Sequence, residues 1–175
     1  MTRVDGIGQG IEVVVSTTIA PGESYALVVE SVRNIFPDFP DSTPELVASF
    51  PCENNNIPLK YEGLSLANFL GMAAQQRVLD TALDSMSKHL DDGRSKFTIS
   101  RQAALAEKIS FCRLGESVLG GIITIKIEGL QLAEWIEEAT WHPGRDEVPR
   151  KVRDDFSMGD DGEILLELRE KHLNT

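Results

Sequence analysis

The run Ile122-Ile123-Thr124-Ile125-Lys126-Ile127 is β-branched at every position but Lys126. Such residues fit a pleated surface, and a run this apolar predicts a central strand with neighbours on both sides. A central strand needs partners. Ile11 to Thr17 is a second strand by its Val-rich run, and Ser95 to Ser100 a third by alternation. In the third, Phe97 and Ile99 share one face and Lys96 and Thr98 the other. Lys108 to Phe111 alternates again, Leu46 to Phe50 reads as a strand, and Ile57 to Tyr61 returns from a turn at Cys52-Glu53-Asn54-Asn55-Asn56. Pro58 cannot donate to a ladder and places that returning strand at an edge or a strand end.

Between these strands the apolar period lengthens to that of a helix. Tyr25 to Phe36 places apolar residues at 25, 28, 29, 32, 35 and 36, opened by Glu23 or Ser24. A short helix over Leu66 to Ala73 precedes a longer one over Gln76 to Leu90, whose stripe is 79, 82, 83, 86 and 90. The break falls at Gly71 or at 75–77, and Asp91-Asp92-Gly93 stops the second helix. Leu130 to Thr140 and Glu163 to Leu173 complete the helices, and Gly115 to Gly121 reads as a hairpin loop. The expected fold class is α+β: two layers, a mixed or antiparallel sheet backed by helices. Residues 1–9 read as a loose tail, 10–141 as a single domain, and 142–175 as a charged extension ending in a helix.

At 175 residues a full core can form without metal or disulfide. Cys52 and Cys112 have no metal-ligand spacing and read as reduced thiols. No signal segment or membrane-length apolar run is visible, so a soluble cytoplasmic protein is expected.

Catalytic signatures are missing. The chain contains no GxSxG, HExxH, P-loop or GxGxxG pattern. His89, His142 and His172 pair with no nucleophile in a recognisable order. Asp80 and Asp84, one helical turn apart, fit either acid–base chemistry or a solvated face. Asp160, Asp161 and Glu163 lack the EF-hand spacing and read as an acidic turn. No cofactor or metal is expected, and the chain is not expected to be an enzyme.

Charge is unevenly spread. The net charge is −11, yet residues 77–126 hold eight basic and six acidic side chains, a local +2 against −13 elsewhere. That segregation fits a basic face or ordinary variation along a chain. A phosphate backbone is bound by clusters of cations, and Arg77, Lys96, Arg101, Lys108 and Lys126 are the candidates. Phe97 and Phe111 are the rings available for stacking, and alternation turns them inward.

The order of motifs within 75–127 is family-like. Gln76-Arg77-Val78-Leu79-Asp80-Thr81-Ala82, Phe97 to Phe111 (FTISRQAALAEKISF) and Glu116-Ser117-Val118-Leu119-Gly120-Gly121-Ile122 resemble three motifs of an archaeal group, uncharacterised protein family 0201. The resemblance extends more loosely over about 10–140. It implies a sheet backed by helices, similar to the ribosomal protein that binds five-S RNA. It also implies RNA binding without catalysis or cofactor, and association with the exosome or other RNA-processing proteins. The matching polar positions are Gln76, Arg77, Asp80, Thr81, Gln102 and Lys108. Leu83, where the family favours a basic residue, Val118 and Gly121 for prolines, and Ser100 for asparagine are departures.

The expectation is therefore a non-catalytic RNA-binding protein contacting RNA through Arg77, Lys96, Arg101, Gln102, Lys108 and Lys126, compatible with a homodimer. The alternative is an acidic protein-interaction domain that binds no nucleic acid.

Overall fold

A computed structural model describes residues 4–41 and 56–153. The element order is β1 (Ile11–Ile19), α1 (Tyr25–Ile35), β2 (Ile57–Glu62), α2 (Ala67–Gln75), α3 (Leu79–Ser87), β3 (Arg94–Ser100), α4 (Arg101–Leu105), β4 (Phe111–Cys112), β5 (Ile122–Gly129) and α5 (Leu132–Ala139). A 3-10 turn, Pro143–Asp146, follows.

The strands form one sheet in the order β2-β1-β5-β3-β4, and every adjacent pair is antiparallel. The isoleucine run is the central strand, and Pro58 lies on the edge strand β2. The fold is the expected α+β class, with an antiparallel sheet. The Leu46 to Phe50 strand, Cys52, the acidic turn at 160–163 and the helix over 163–173 lie outside the described residues.

One face of the sheet makes the core. Val13 and Val15, Phe97 and Ile99, and Ile123, Ile125 and Ile127 are buried at alternate positions. The helices cover them with Val32 and Ile35, Phe69 and Leu70, Leu83 and Met86, and Trp135 and Ile136. Phe69 lies at the centre, 5.6 Å from the Phe97 ring and 6.1 Å from Phe111 in a T-shaped contact. Both strand rings thus point inward, as alternation required. Burying such rings is a main source of stability in a domain of this size.

Local chemistry sets the helix starts. Ser24 caps α1 by accepting a hydrogen bond from the Leu27 N–H at 3.4 Å. Ser100 caps α4 in the same way through Ala103. The break between α2 and α3 falls at 76–78, where Arg77 is left-handed at φ 58°, and α2 runs through Gly71.

The segment 101–106 opens with α4. Three expectations differ from the structure. The strand expected over Lys108 to Phe111 is displaced and shortened to Phe111–Cys112, because Ile109 is tied to a helix side chain instead of a neighbouring strand. The Gly115–Gly121 loop is a crossover and not a hairpin, because β3 lies between β4 and β5. Residues 4–9 are fastened: the Leu66 N–H bonds to Asp5 O at 3.0 Å, and the Trp135 indole donates to Gln9 at 2.9 Å.

Candidate nucleic-acid interface

The other face of the sheet is open, and its residues follow from register. Residues directly opposite on antiparallel strands project to the same side. One row across the sheet is Glu62, Val14, Lys126 and Lys96. A second is Lys60, Ser16, Thr124, Thr98 and Cys112. A third is Glu12, Glu128 and Arg94. None of these positions is aromatic.

Several of these charges are neutralised locally. Arg94 pairs with Glu128 at 2.9 Å and Lys60 with Glu62 at 2.6 Å. The bond from Lys60 holds the Glu62 carboxyl below the usual carboxylate range. The bond to Glu128 pushes Arg94 higher still. Lys96 and Lys126 differ. They are exposed, they stand directly opposite each other, and neither forms an ion pair among the described residues. Like charges in that relation repel and destabilise a sheet. The pair borders a shallow depression of about 400 Å³ whose other charged lining residues are Arg94 and the carboxylates Glu12, Asp91, Asp92 and Glu128, with His89 beside them.

The remaining candidates lie elsewhere. Arg101 is 5% exposed. Its guanidinium donates to Gly120 O at 2.8 Å, to Thr18 O at 2.8 Å and to the Glu23 carboxylate at 2.5 Å. Glu23 in turn accepts from the Ala20 N–H at 2.8 Å. Arg101 thus joins the end of β1, the entry to α1 and the glycine loop. A side chain on Gly121, at φ 81°, would collide with the guanidinium. This correction has a plain cause: the cation is already saturated with internal acceptors and is not presented to a phosphate.

Arg77 and Lys108 flank a different contact. The Gln76 side-chain amide accepts from Ile109 N–H at 2.8 Å and donates to Ile109 O at 3.1 Å. Its sequence neighbours Arg77 and Lys108 are exposed at that junction, in the helical layer. Gln102 is exposed on α4, with its Cβ against Gly120. The six candidates therefore do not form one face. Lys96 and Lys126 are together on the sheet, Arg77 and Lys108 flank the clamp, Gln102 lies by the loop, and Arg101 is internal.

The acidic motif residues are also internal fasteners. Asp80 accepts from Arg145 Nε at 3.0 Å and lies 3.1 Å from His142 Nε2. Asp84 pairs with Arg150 at 2.5 Å. Arg145 is buried and also donates to Glu137 O and Thr140 Oγ1, both at 3.1 Å. Partial burial pushes the Asp80 carboxyl up. The hydrogen bonds from Arg145 and His142 outweigh it and hold the group below its ordinary range. Asp80 and Asp84 are both partly exposed, and both are engaged in ion pairs across the fold. They dock the start of the charged extension onto α3, and Arg153 extends that docking by donating to Leu90 O. Among the described residues, no group of three or more His, Cys, Asp or Glu side chains could hold a metal ion. No described helix is long and apolar enough to cross a membrane.

Sequence reasoning missed Ser16 and Thr124, intermediate in exposure and beside the lysine pair. The alternation Val13, Val15, Thr17 inward already implied that Ser16 faces outward.

Comparison with known proteins finds relatives by sequence and a solved structure of the same fold. No family model matches the chain. A UPF0200/UPF0201 protein of Archaeoglobus fulgidus is 26% identical over 132 residues, which are 75% of this chain and 38% of that protein. The chain therefore spans less than half the length of that relative. A UPF0201 protein of Sulfurisphaera tokodaii is 29% identical over 135 residues, 74% of this chain and 88% of that one. The crystal structure of a UPF0201 protein from Methanococcus jannaschii matches with a TM-score of 0.61 at 21% identity, covering 76% and 96% of the two chains. The chain is similar to archaeal UPF0201 proteins over about three quarters of its length, and the solved structure shares its fold.

Proposed function

We propose, taking this likeness to archaeal UPF0201 proteins as the premise, that the protein is a non-catalytic RNA-binding module whose phosphate contacts are made by the open sheet face. The observation that carries the reading is the Lys96–Lys126 pair. Two exposed like charges stand in direct cross-strand register, without an acid partner among the described residues, in a chain of net charge −11. An anion held between them would relieve their repulsion. The neighbouring Ser16 and Thr124 hydroxyls can donate or accept, which suits phosphate oxygens and ribose 2′-hydroxyls. An open face lacking rings predicts weak dependence on sequence there, since bases are read by edge contacts and stacking. Arg77 and Lys108 are a separate exposed pair that a long or structured RNA would reach. The ribosomal-protein-like character and the exosome association belong to the same reading, with RNA as the shared partner.

The test is fluorescence anisotropy of a labelled single-stranded RNA and a structured RNA at low and physiological salt, using wild type and the double variant Lys96→Glu, Lys126→Glu. Binding that weakens with salt in the wild type and is lost in the variant is the expected result. Equal binding by the folded variant would move the interface off the sheet. No binding by wild type at low salt would favour the acidic protein-interaction domain.

A further inference from the structure

The edge of the sheet carries a second group of basic side chains. A hollow of about 530 Å³ lies between the C-terminal end of α3 and β4, within the size range of small-molecule sites. Lys88 and His89, just past α3, and Arg113, just past β4, are among its lining residues. All three are exposed, and none forms an ion pair among the described residues. Glu116 lies at the rim, where its carboxylate accepts from the Arg113 backbone N–H at 3.1 Å. Cys112 also lines the hollow, and burial followed by the nearby Glu116 pushes its thiol up. It is there as a neutral group.

The floor is aromatic. Phe97 is 2% exposed and closes the hollow from below. Phe111 is half-buried, its ring held by Phe69 at 6.1 Å and Phe97 at 6.4 Å, and it lines the hollow. Phe111 is less covered than Phe97, and a ring held in place at the wall of a hollow can stack a base.

We infer that this hollow is a binding site for a single unstacked nucleotide, its base against Phe111 and its phosphate among Lys88, His89 and Arg113. The composition selects that chemistry. A bare anion would leave the ring face unused, and an uncharged apolar molecule would leave two cations, Lys88 and Arg113, unanswered. A nucleoside monophosphate unit has both parts. The unit comes from an RNA strand or from a free nucleotide.

A second geometric fact favours the strand. His89 lines both this hollow and the depression beside Lys96 and Lys126. His89 therefore joins the hollow to the open face around the β3–β4 edge, along a depression that Glu12, Asp91, Asp92 and Glu128 line together with Arg94, Lys96 and Lys126. An RNA with phosphates on the lysine pair would place a following base at Phe111. This choice of source rests on the RNA-binding reading, whereas the pocket itself does not.

The experiment is an NMR titration of the isotope-labelled full chain with adenosine 5′-monophosphate, adenosine and a short single-stranded oligoadenylate. The monophosphate should shift the amides of Lys88, His89, Cys112 and Arg113, and adenosine should bind more weakly. Arg113→Glu, at an exposed position, should weaken the monophosphate about tenfold or more. Phe111→Leu keeps apolar volume and removes the stack, and should weaken it by a comparable factor. Binding of both monophosphate and oligonucleotide at these amides identifies the strand as the source. Binding of the monophosphate alone identifies a free nucleotide as the source and overturns the strand at this pocket, while the open-face reading stands or falls on its own anisotropy test. If the monophosphate leaves these amides unmoved at millimolar concentration, or if both folded variants bind as wild type, the pocket assignment is overturned whether or not RNA binds elsewhere.

Discussion

Lys96 and Arg101 belong to one continuous strand–helix unit, and their surroundings are opposite. Lys96 stands on an open face against another lysine, and Arg101 is 5% exposed with its donors on Glu23, Thr18 and Gly120. The same division runs through the molecule. The helical side holds the family-like polar residues, and Gln76, Asp80 and Arg101 each fasten distant segments. The open face carries no motif but keeps unneutralised charge. A polar residue that recurs in a motif can therefore be architectural, while the residues suited to a ligand are those that the fold leaves unanswered.

The largest expected effect is at Arg101. Arg101→Met would leave the Glu23 carboxylate without its cation and two carbonyls unmet. Arg101 is buried but Glu23 is 27% exposed, so breaking the pair costs up to about 3–5 kcal/mol. The midpoint of urea unfolding measures it, and an unchanged midpoint would break the comparison. Next is Gln76→Leu, which strands the Ile109 N–H and C=O and should cost about 1–3 kcal/mol in the same measurement.

Asp80 gives a pH-dependent contrast. Its carboxyl is held below the ordinary range by Arg145 and His142 against the raising effect of burial. A group depressed in the folded state stabilises fully above its unfolded value, and that contribution is lost as pH falls through the folded value. In Asp80→Asn the melting temperature should be lower near neutral pH, and the gap to wild type should close with acidification. A gap that widens in acid would contradict the assignment.

The smallest stability effect is on the open face. Lys96→Glu turns a like-charge pair into an opposite-charge one. Stability should hold or rise by up to about 1 kcal/mol, while RNA affinity falls. A variant that is both unstable and weakly binding would place Lys96 with the architectural residues.

Much of the fold was legible because its signals are local. The isoleucine run identified the central strand, Pro58 the edge strand, and alternation the inward rings. The site was less legible because its decisive contacts join distant residues. Glu23 lies 78 positions from Arg101, and His142 and Arg145 lie 62 and 65 from Asp80. No periodicity announces such partners, so a buried cation and an exposed one look alike in sequence. Lys96 and Lys126 were identified individually, but their opposition depends on β3 and β5 being neighbours. The edge hollow is assembled from the end of α3 and the ends of β4, two regions whose proximity no motif encodes.

We propose that a short single-stranded RNA is held on the open face, with Arg77 and Lys108 of the helical layer reached only by a longer or structured RNA. The most direct test is amide chemical-shift mapping of the full chain as a single-stranded RNA is added at low salt. Binding of that kind changes shifts chiefly at 94–98 and 122–128, extends to 88–89 and 111–113, and leaves 76–82 and Arg101 unmoved. Changes confined to Gln76 through Ala82 and to 101–108, with the lysine pair silent, would contradict it.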